Sequence, residues 1–324
     1  MAGVPILDLA AFRGPGRDAL AAQLDAACRE VGFLLIEGHG VPDALIARVH
    51  ALTEAFFAHP PDHKQRYQVV PGRIHGWTGP HQSYLAGTLD GNAVPDWKEG
   101  FSVGPIDTPV DLTHEETPYF GRNLWPEQPD GFVEAWEDYY REMERLAREI
   151  MAAMAVALAL PEDYFDSRID RHITGLSAHY YPPQTTPPLD GQLRAGAHTD
   201  FGSLTILHAG GNPEGLQVRT RDGTWQDVAI PPECFVVNIG DLLAQWTNDR
   251  WVSTLHRVVN PQGTRAHLPR QSIAFFHQPN WHTVVTCLPG CGSAENLPKY
   301  PPITSGAHFE RKLALLRGEG VTFP

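Results

Sequence analysis

Apolar positions in the first half of the chain fall mainly at helical spacing. Leu20, Leu24, Ala27, Cys28 and Val31 share one face and predict a helix that closes at Gly32. A second helix is predicted from Asp43 to His59. Leu45, Ile46, Val49, Leu52, Phe56 and Phe57 line one side, and Pro60-Pro61 stops it. The longest runs from about Asp130 to Leu160. Its stripe of Phe132, Trp136, Tyr139, Tyr140, Met143, Leu146, Ile150, Met151 and Met154 is that of a scaffold helix covering a sheet. Val4–Leu9 and Phe33–Ile36 predict short strands, and His308–Leu316 a closing helix.

Between Val70 and Gly104 the periodicity is lost. Gly72, Gly76, Gly79, Pro80, Gly87, Gly91 and Pro95 interrupt a stretch that also carries Trp77, Tyr84, Trp97 and Phe101. Aromatics among breakers suit a binding loop laid over a scaffold, so Tyr84 and Phe101 are candidate substrate contacts.

After Ile173 the pattern changes to short β-rich runs. They are Ile173–Tyr181, Ser203–His208, Leu216–Arg219, Thr224–Ile230, Cys234–Ile239, Trp251–Val259, Ser272–His277 and Thr283–Cys287. Asp222-Gly223 and Asn248-Asp249 read as hairpin turns between them. Many short strands predict a sandwich or barrel, with a double-sheet jelly roll as the natural candidate. The expected fold is a mostly β core with a helical N-terminal half: a cupin-like double-stranded β-helix flanked by helices. It divides into a mixed segment over 1–170, the β core over 171–290 and a C-terminal helix within 291–324. No Pro/Ser-rich linker separates them, so one compact unit is expected.

Composition narrows the function. A formal net charge of −13 argues against a nucleic-acid partner and, less strongly, against an anionic membrane surface. An anionic small substrate stays open, because one local arginine can overrule the global field. The four cysteines (Cys28, Cys234, Cys287 and Cys291) form neither a disulfide framework nor a zinc-site spacing and read as thiols in a reducing cytoplasm. No basic start precedes an apolar run, and no apolar run is long enough to span a bilayer.

The candidate chemistry centres on Ala197-His198-Thr199-Asp200 and the later His256. If His198 and Asp200 lie on a strand, they share a face. Two imidazoles and a carboxylate match the donor set of a mononuclear iron(II) site with open positions; tetrahedral zinc on the same ligands stays open. Arg270 and Ser272 are again two apart, and a guanidinium beside a hydroxyl suits a grip on a carboxylate. His179 and Tyr181 share one strand face upstream. His39 in Gly-His-Gly, and His208, His277 and His282, read as structural or surface residues, whereas His75 and His81 lie in the aromatic stretch.

In order, the chain carries His179-Tyr180-Tyr181-Pro182, Ala197–Asp200, Gly215–Val218, Asn238–Asp241, Leu255–Val258 and Arg270–Ser272. With Pro5–Leu9, Gly32-Phe33, Gly38–Pro42 and Asp96–Glu99, this series resembles the iron(II)/2-oxoglutarate-dependent oxygenases of the isopenicillin N synthase-like group. The run Phe275–Asn280 looks closer to bacterial members. The resemblance implies that His198, Asp200 and His256 bind Fe(II). It implies that Arg270 and Ser272 hold the distal carboxylate of 2-oxoglutarate, helped by Tyr181, and that Phe276 forms an apolar wall of the substrate pocket. His179 stands where plant relatives often carry asparagine. The implied activity is oxidation, foremost hydroxylation, of a small molecule with O2, while 2-oxoglutarate is decarboxylated to succinate and CO2. Two other readings compete: an isopenicillin N synthase-type iron oxidase that does without 2-oxoglutarate, and a non-catalytic metal-binding relative. Substrate identity, reaction outcome and oligomeric state are not legible.

Overall fold

The computed structural model describes residues 3–70, 73–87, 94–261 and 263–316. Gly72, Gly91 and Gln262 lie outside the described residues. The chain opens with β1 (Ile6–Asp8), α1 (Arg17–Glu30), β2 (Phe33–Glu37), α2 (Asp43–Ala58) and α3 (Pro61–Gln65). There follow β3 (Gly76–Thr78), β4 (Glu99–Val103), the long α4 (Phe132–Ala157) and the single turn α5 (Asp166–Ile169). The second half holds β5 (Gly175–Tyr181), β6 (Ala195–His198), β7 (Leu204–Gly210), β8 (Leu216–Arg219), β9 (Trp225–Asp227) and β10 (Phe235–Ile239). After α6 (Asp241–Trp246) come β11 (His256–Val258), β12 (Arg270–His277), β13 (Val284–Val285), β14 (Ile303–Thr304) and α7 (Ser305–Leu316).

These elements make three layers. The major sheet has eight strands in the order β1-β2-β10-β7-β12-β5-β4-β3, antiparallel except for the β1–β2 pair. A minor sheet, β6-β11-β8-β9, faces one side of it and completes a jelly roll. Helices α1, α2 and α4 cover the other side. The central strands are buried on both faces, which explains their near-continuous apolar runs. On β12, Ile273 and Phe275 enter the helical core, while Arg270, Ser272, Ala274 and Phe276 face the minor sheet. The alternation of period two sorts β2, β4, β5, β7 and β10 in the same way.

The apolar stripe of α4 supplies the centre of the helical layer: Trp136, Tyr139, Tyr140 and Met143 are fully buried. Each such side chain contributes about 1.5–3 kcal/mol by leaving water. Polar atoms of two of them are also used. Trp136 Nε1 donates to Thr53 Oγ1 at 3.0 Å, tying α4 to α2, and Tyr140 Oη donates to the Thr174 carbonyl at 2.9 Å.

Several expectations change here. The N-terminal half is not simply helical: β1–β4 are strands of the major sheet, and β4 pairs directly with β5 across the expected boundary near residue 170. Breakers had hidden β3 and β4. Asn248-Asp249 is no hairpin; with positive φ at both residues it ends α6 and turns the chain toward Trp251. Asp222-Gly223 does join paired strands, with Thr220 donating its backbone N–H to Thr224 at 2.9 Å. Gly263–His267, on the crossover between the two sheets, forms a 3-10 turn. No described helix is long and apolar enough to cross a membrane.

Candidate metal centre and cosubstrate pocket

Strand pairing creates the site. His256 of β11 lies directly opposite His198 of β6 in the minor sheet. Their rings are 4.3 Å apart between centroids. Asp200 is not on the strand with His198, as the simple spacing argument required. The strand ends at His198, and Asp200 sits in the irregular segment that follows. Two close approaches of backbone hold that segment. A Cβ on Gly202 would lie 2.2 Å from the His277 carbonyl, and one on Gly240 would lie 2.2 Å from the Gly202 carbonyl. Only glycine fits at either position.

Nε2 of His198 and Nε2 of His256 each lie 3.8 Å from Asp200 Oδ1, and the three donor atoms fall within 4.8 Å of one another. Hydrogen bonds on the far side of each group fix which atom faces inward. The Nδ1–H of His198 donates to Gly196 O at 2.8 Å, and that of His256 to Thr254 O at 3.1 Å. Both Nε2 atoms are thereby left as lone-pair donors. Asp200 Oδ2 accepts from Thr205 Oγ1 at 2.6 Å and Asn238 Nδ2 at 2.8 Å, leaving Oδ1 for the centre. Burial, aided by the neighbouring His256, depresses His198 to about 4. Burial alone would raise the Asp200 carboxyl. The two imidazoles and the hydrogen bonds from Thr205 and Asn238 outweigh it and hold the group low. A neutral His198 beside an ionised Asp200 is the state that metal binding requires of these two groups.

Beside this triad lies a cavity of about 290 Å3. Arg270 and Ser272 enter it from β12, with Tyr181 on the neighbouring strand opposite Arg270. The Arg270 side chain is 1% exposed. It donates from Nη1 to Ser272 Oγ at 3.3 Å and lies 5.0 Å from the centre of the Tyr181 ring. Its Nε and Nη2 have no partner among the described residues. A buried guanidinium with two idle donors and, among the described residues, no acid paired with it is expensive. A dicarboxylate such as 2-oxoglutarate supplies the acceptor that this group lacks, and the two-His, one-Asp donor set with open sides suits Fe(II), so the residues present fit both groups.

Phe276 lines the cavity, with its ring 6.1 Å from that of His179. Phe101 does not. It is 1% exposed on the opposite face of β4 and packs on Phe56, Phe132 and Trp136. Trp77 shares that side, where its Nε1 donates to Glu99 Oε2 at 2.8 Å and Lys64 pairs with the same carboxylate. Tyr84 is 44% exposed and is not a wall residue; its neighbour Leu85 is. The walls include residues given no role from sequence: Lys98, Phe33, Tyr119, Phe201, and Phe309 and Leu313 from α7. His75 also faces the cavity, and its removal from water lowers it to about 4. His39, His208 and His277 are held in hydrogen bonds away from the triad.

Two family models match the chain. Residues 4–128 match the N-terminal region of the non-haem dioxygenases in morphine synthesis, and residues 174–279 match the 2OG-Fe(II) oxygenase superfamily. A 2-oxoglutarate-Fe(II) type oxidoreductase of Emericella nidulans, hxnY, is 34% identical over 93% of this chain and 86% of its own length. Validamycin A dioxygenase of Streptomyces hygroscopicus is 33% identical, covering 84% of this chain and 76% of that protein. Among solved structures, a full-length Neurospora crassa protein in complex with 2-oxoglutarate and thymine superposes with a TM-score of 0.83 at 30% identity, covering 96% of each chain. These relatives are fungal and streptomycete and lend no particular weight to the bacterial leaning of Phe275–Asn280. The chain belongs to the 2OG-Fe(II) oxygenase superfamily, and it is an oxidoreductase that uses Fe(II), 2-oxoglutarate and O2.

Proposed function

We propose that this enzyme hydroxylates a small organic molecule at a C–H bond presented to the His198–Asp200–His256 centre. The triad would hold Fe(II). Arg270 and Ser272, with Tyr181 beside them, would hold the distal carboxylate of 2-oxoglutarate. The observation that carries this is the convergence, in one cavity, of three oriented donor atoms and a guanidinium with two unpartnered N–H groups. When bound, the iron supplies the oxygen chemistry that couples decarboxylation of 2-oxoglutarate to oxidation of the substrate.

The chain's own residues orient and shield. Thr205 and Asn238 keep one carboxylate oxygen of Asp200 turned inward. Phe276, Phe201, Tyr119 and Phe309 give the cavity apolar walls that exclude water. Validamycin A and thymine, named with two of the relatives, are small polar molecules, and a cavity of about 290 Å3 suits substrates of modest size. The order of the motifs along the chain supports a reading within the isopenicillin N synthase-like branch. Its four free cysteines fit a cytoplasmic setting. An oxidase that dispenses with 2-oxoglutarate is disfavoured, because the Neurospora crassa neighbour holds 2-oxoglutarate.

The test is a substrate screen that monitors succinate, with product analysis under 18O2. The expected result is one labelled oxygen in the product and one succinate per product. Substrate turnover without any 2-oxoglutarate consumption would overturn the assignment.

A further inference from the structure

We propose that Lys98 is a second cationic anchor for 2-oxoglutarate, gripping the carboxylate next to the keto group while Arg270 grips the distal one. The proposal rests on the cosubstrate pocket described above and goes beyond it by assigning the other end of the molecule.

Three observations carry it. First, Lys98 lies in the cavity wall although its side chain is only 8% exposed. The residues after it on β4 alternate, sending Phe101 and Val103 to the helical core and Ser102 to the cavity, so Lys98 falls on the cavity face. Secondly, its ammonium makes no hydrogen bond among the described residues. The nearest acid, Asp96, has Oδ2 at 4.0 Å, and both of its oxygens are already engaged. Oδ1 accepts from the Gly196 backbone at 2.8 Å, and Oδ2 accepts from Ser83 Oγ at 2.6 Å and the Leu85 backbone at 3.3 Å. A buried ammonium whose one described ion-pair partner lies at 4.0 Å, with both oxygens engaged elsewhere, keeps donors to spare for an anion.

Thirdly, the register places Lys98 and Arg270 on the same wall of the pocket, separated by Tyr181. Glu99 of β4 pairs with Tyr180 of β5, and Arg270 of β12 pairs with Tyr181 on the other edge of the same strand. Lys98, next before Glu99, therefore flanks Tyr181 from one side as Arg270 does from the other. Asp96 ties the Lys98 end to Gly196, whose carbonyl orients the metal-ligand candidate His198. Arg270 thus stands with Ser272 on one side of Tyr181, and Lys98 stands on the other side, the side tied through Asp96 to the His198 segment, so two separate carboxylates have two separate cations. The charges also balance: Lys98 and Arg270 offset Asp96 and Asp200, and a divalent metal offsets dianionic 2-oxoglutarate.

The test is calorimetric titration of the full chain loaded with Mn(II), which supports no turnover, in air-free buffer. Three probes are used. They are 2-oxoglutarate, 2-oxopentanoate (which lacks the distal carboxylate) and 4-oxopentanoate (which lacks the one beside the keto group). K98M should weaken 2-oxoglutarate and 2-oxopentanoate at least fivefold and leave 4-oxopentanoate within twofold. R270M should show the converse pattern, and K98R should recover most of the loss. A thermal melt confirms that each variant is folded, and K98Q, read against the same thresholds, serves as the test if K98M is not. Weakening of 2-oxoglutarate by less than fivefold in folded K98M overturns the proposal, as does equal weakening of 4-oxopentanoate. In that case Lys98 serves the substrate or the fold. Failure of the unmutated protein to bind 2-oxoglutarate would instead refute the pocket itself, so the two failures are distinguishable.

Discussion

Arg270→Met isolates the group on which the cosubstrate pocket depends. In the folded chain the guanidinium is buried, donates one hydrogen bond to Ser272 and leaves Nε and Nη2 idle. Hydrogen bonds from a charged group are worth about 1.5–3 kcal/mol each. Two of them to a carboxylate amount to about 3–6 kcal/mol, so loss of the fork should weaken 2-oxoglutarate by roughly 10²- to 10⁴-fold. Stability should move the other way. An uncompensated buried cation costs several kcal/mol, and methionine fills much of the same space without that cost. R270M should therefore melt at or above the temperature of the parent in the absence of ligand, while losing the stabilisation that 2-oxoglutarate confers. Calorimetry on the Mn(II)-loaded protein reads the first quantity and thermal unfolding with and without 2-oxoglutarate reads the second. A loss of affinity below tenfold would show that Arg270 does not hold the cosubstrate. A large drop in unliganded melting temperature would show that the guanidinium serves the fold.

Three further outcomes follow from the same geometry. Thr205→Val removes the 2.6 Å hydrogen bond to Asp200 Oδ2 and should weaken divalent metal binding by about 10- to 100-fold in a chelator competition; unchanged affinity would mean that Asn238 suffices. Phe101→Ala should cost about 3–5 kcal/mol in denaturant unfolding and leave 2-oxoglutarate affinity unchanged, because the ring belongs to the helical core; a selective loss of cosubstrate binding would contradict that placement. His50 is lowered to about 3, by burial and then by His208. It accepts from Gln271 Nε2 on Nδ1 at 3.0 Å and donates from Nε2 to His208 Nδ1 at 2.9 Å. Since the unfolded chain takes up this proton near pH 6.5 and the folded chain does not, stability falls as pH drops below 6.5. The slope should be about 1.4 kcal/mol per pH unit for each such histidine. Urea unfolding between pH 6 and 4.5 should show that slope reduced by one proton in His50→Gln, and an unchanged slope would refute the assignment.

Much of the scaffold was legible because it rests on long periodic stretches. The stripe on α4 and the alternation on β5, β10 and β12 leave few other ways to bury those side chains. Short elements were not legible. Trp251–Val259 reads as one strand, yet only His256–Val258 pairs, because Trp251 is drawn into the helical core and its Nε1 donates to Asp25 at 2.8 Å. β3 and β4 were lost among glycines. With them went the information about which of their residues face the pocket.

The site divides along the same line. His198, Asp200, His256, Arg270 and Ser272 could be picked out because donor type and order along the chain carry that information, and no neighbouring strand need be known. The walls depend on strand parity, and parity has no meaning until the partner strand is fixed. β4 shows this sharply. Lys98 and Glu99 are adjacent, charged and equally buried, yet one faces the metal cavity and the other pairs with Lys64 beneath the helices. Phe101, one full alternation on from Glu99, follows it into the helical core, and the aromatic that had suggested a substrate contact becomes packing. The same parity that removes Phe101 from the pocket brings Lys98 into it. A basic residue on the cavity face of a sheet, with its nearest acid already committed, is a stronger mark of a ligand than an aromatic in a glycine-rich stretch. A buried ammonium whose acid is already engaged has donors left for a ligand, whereas a buried ring needs only neighbours.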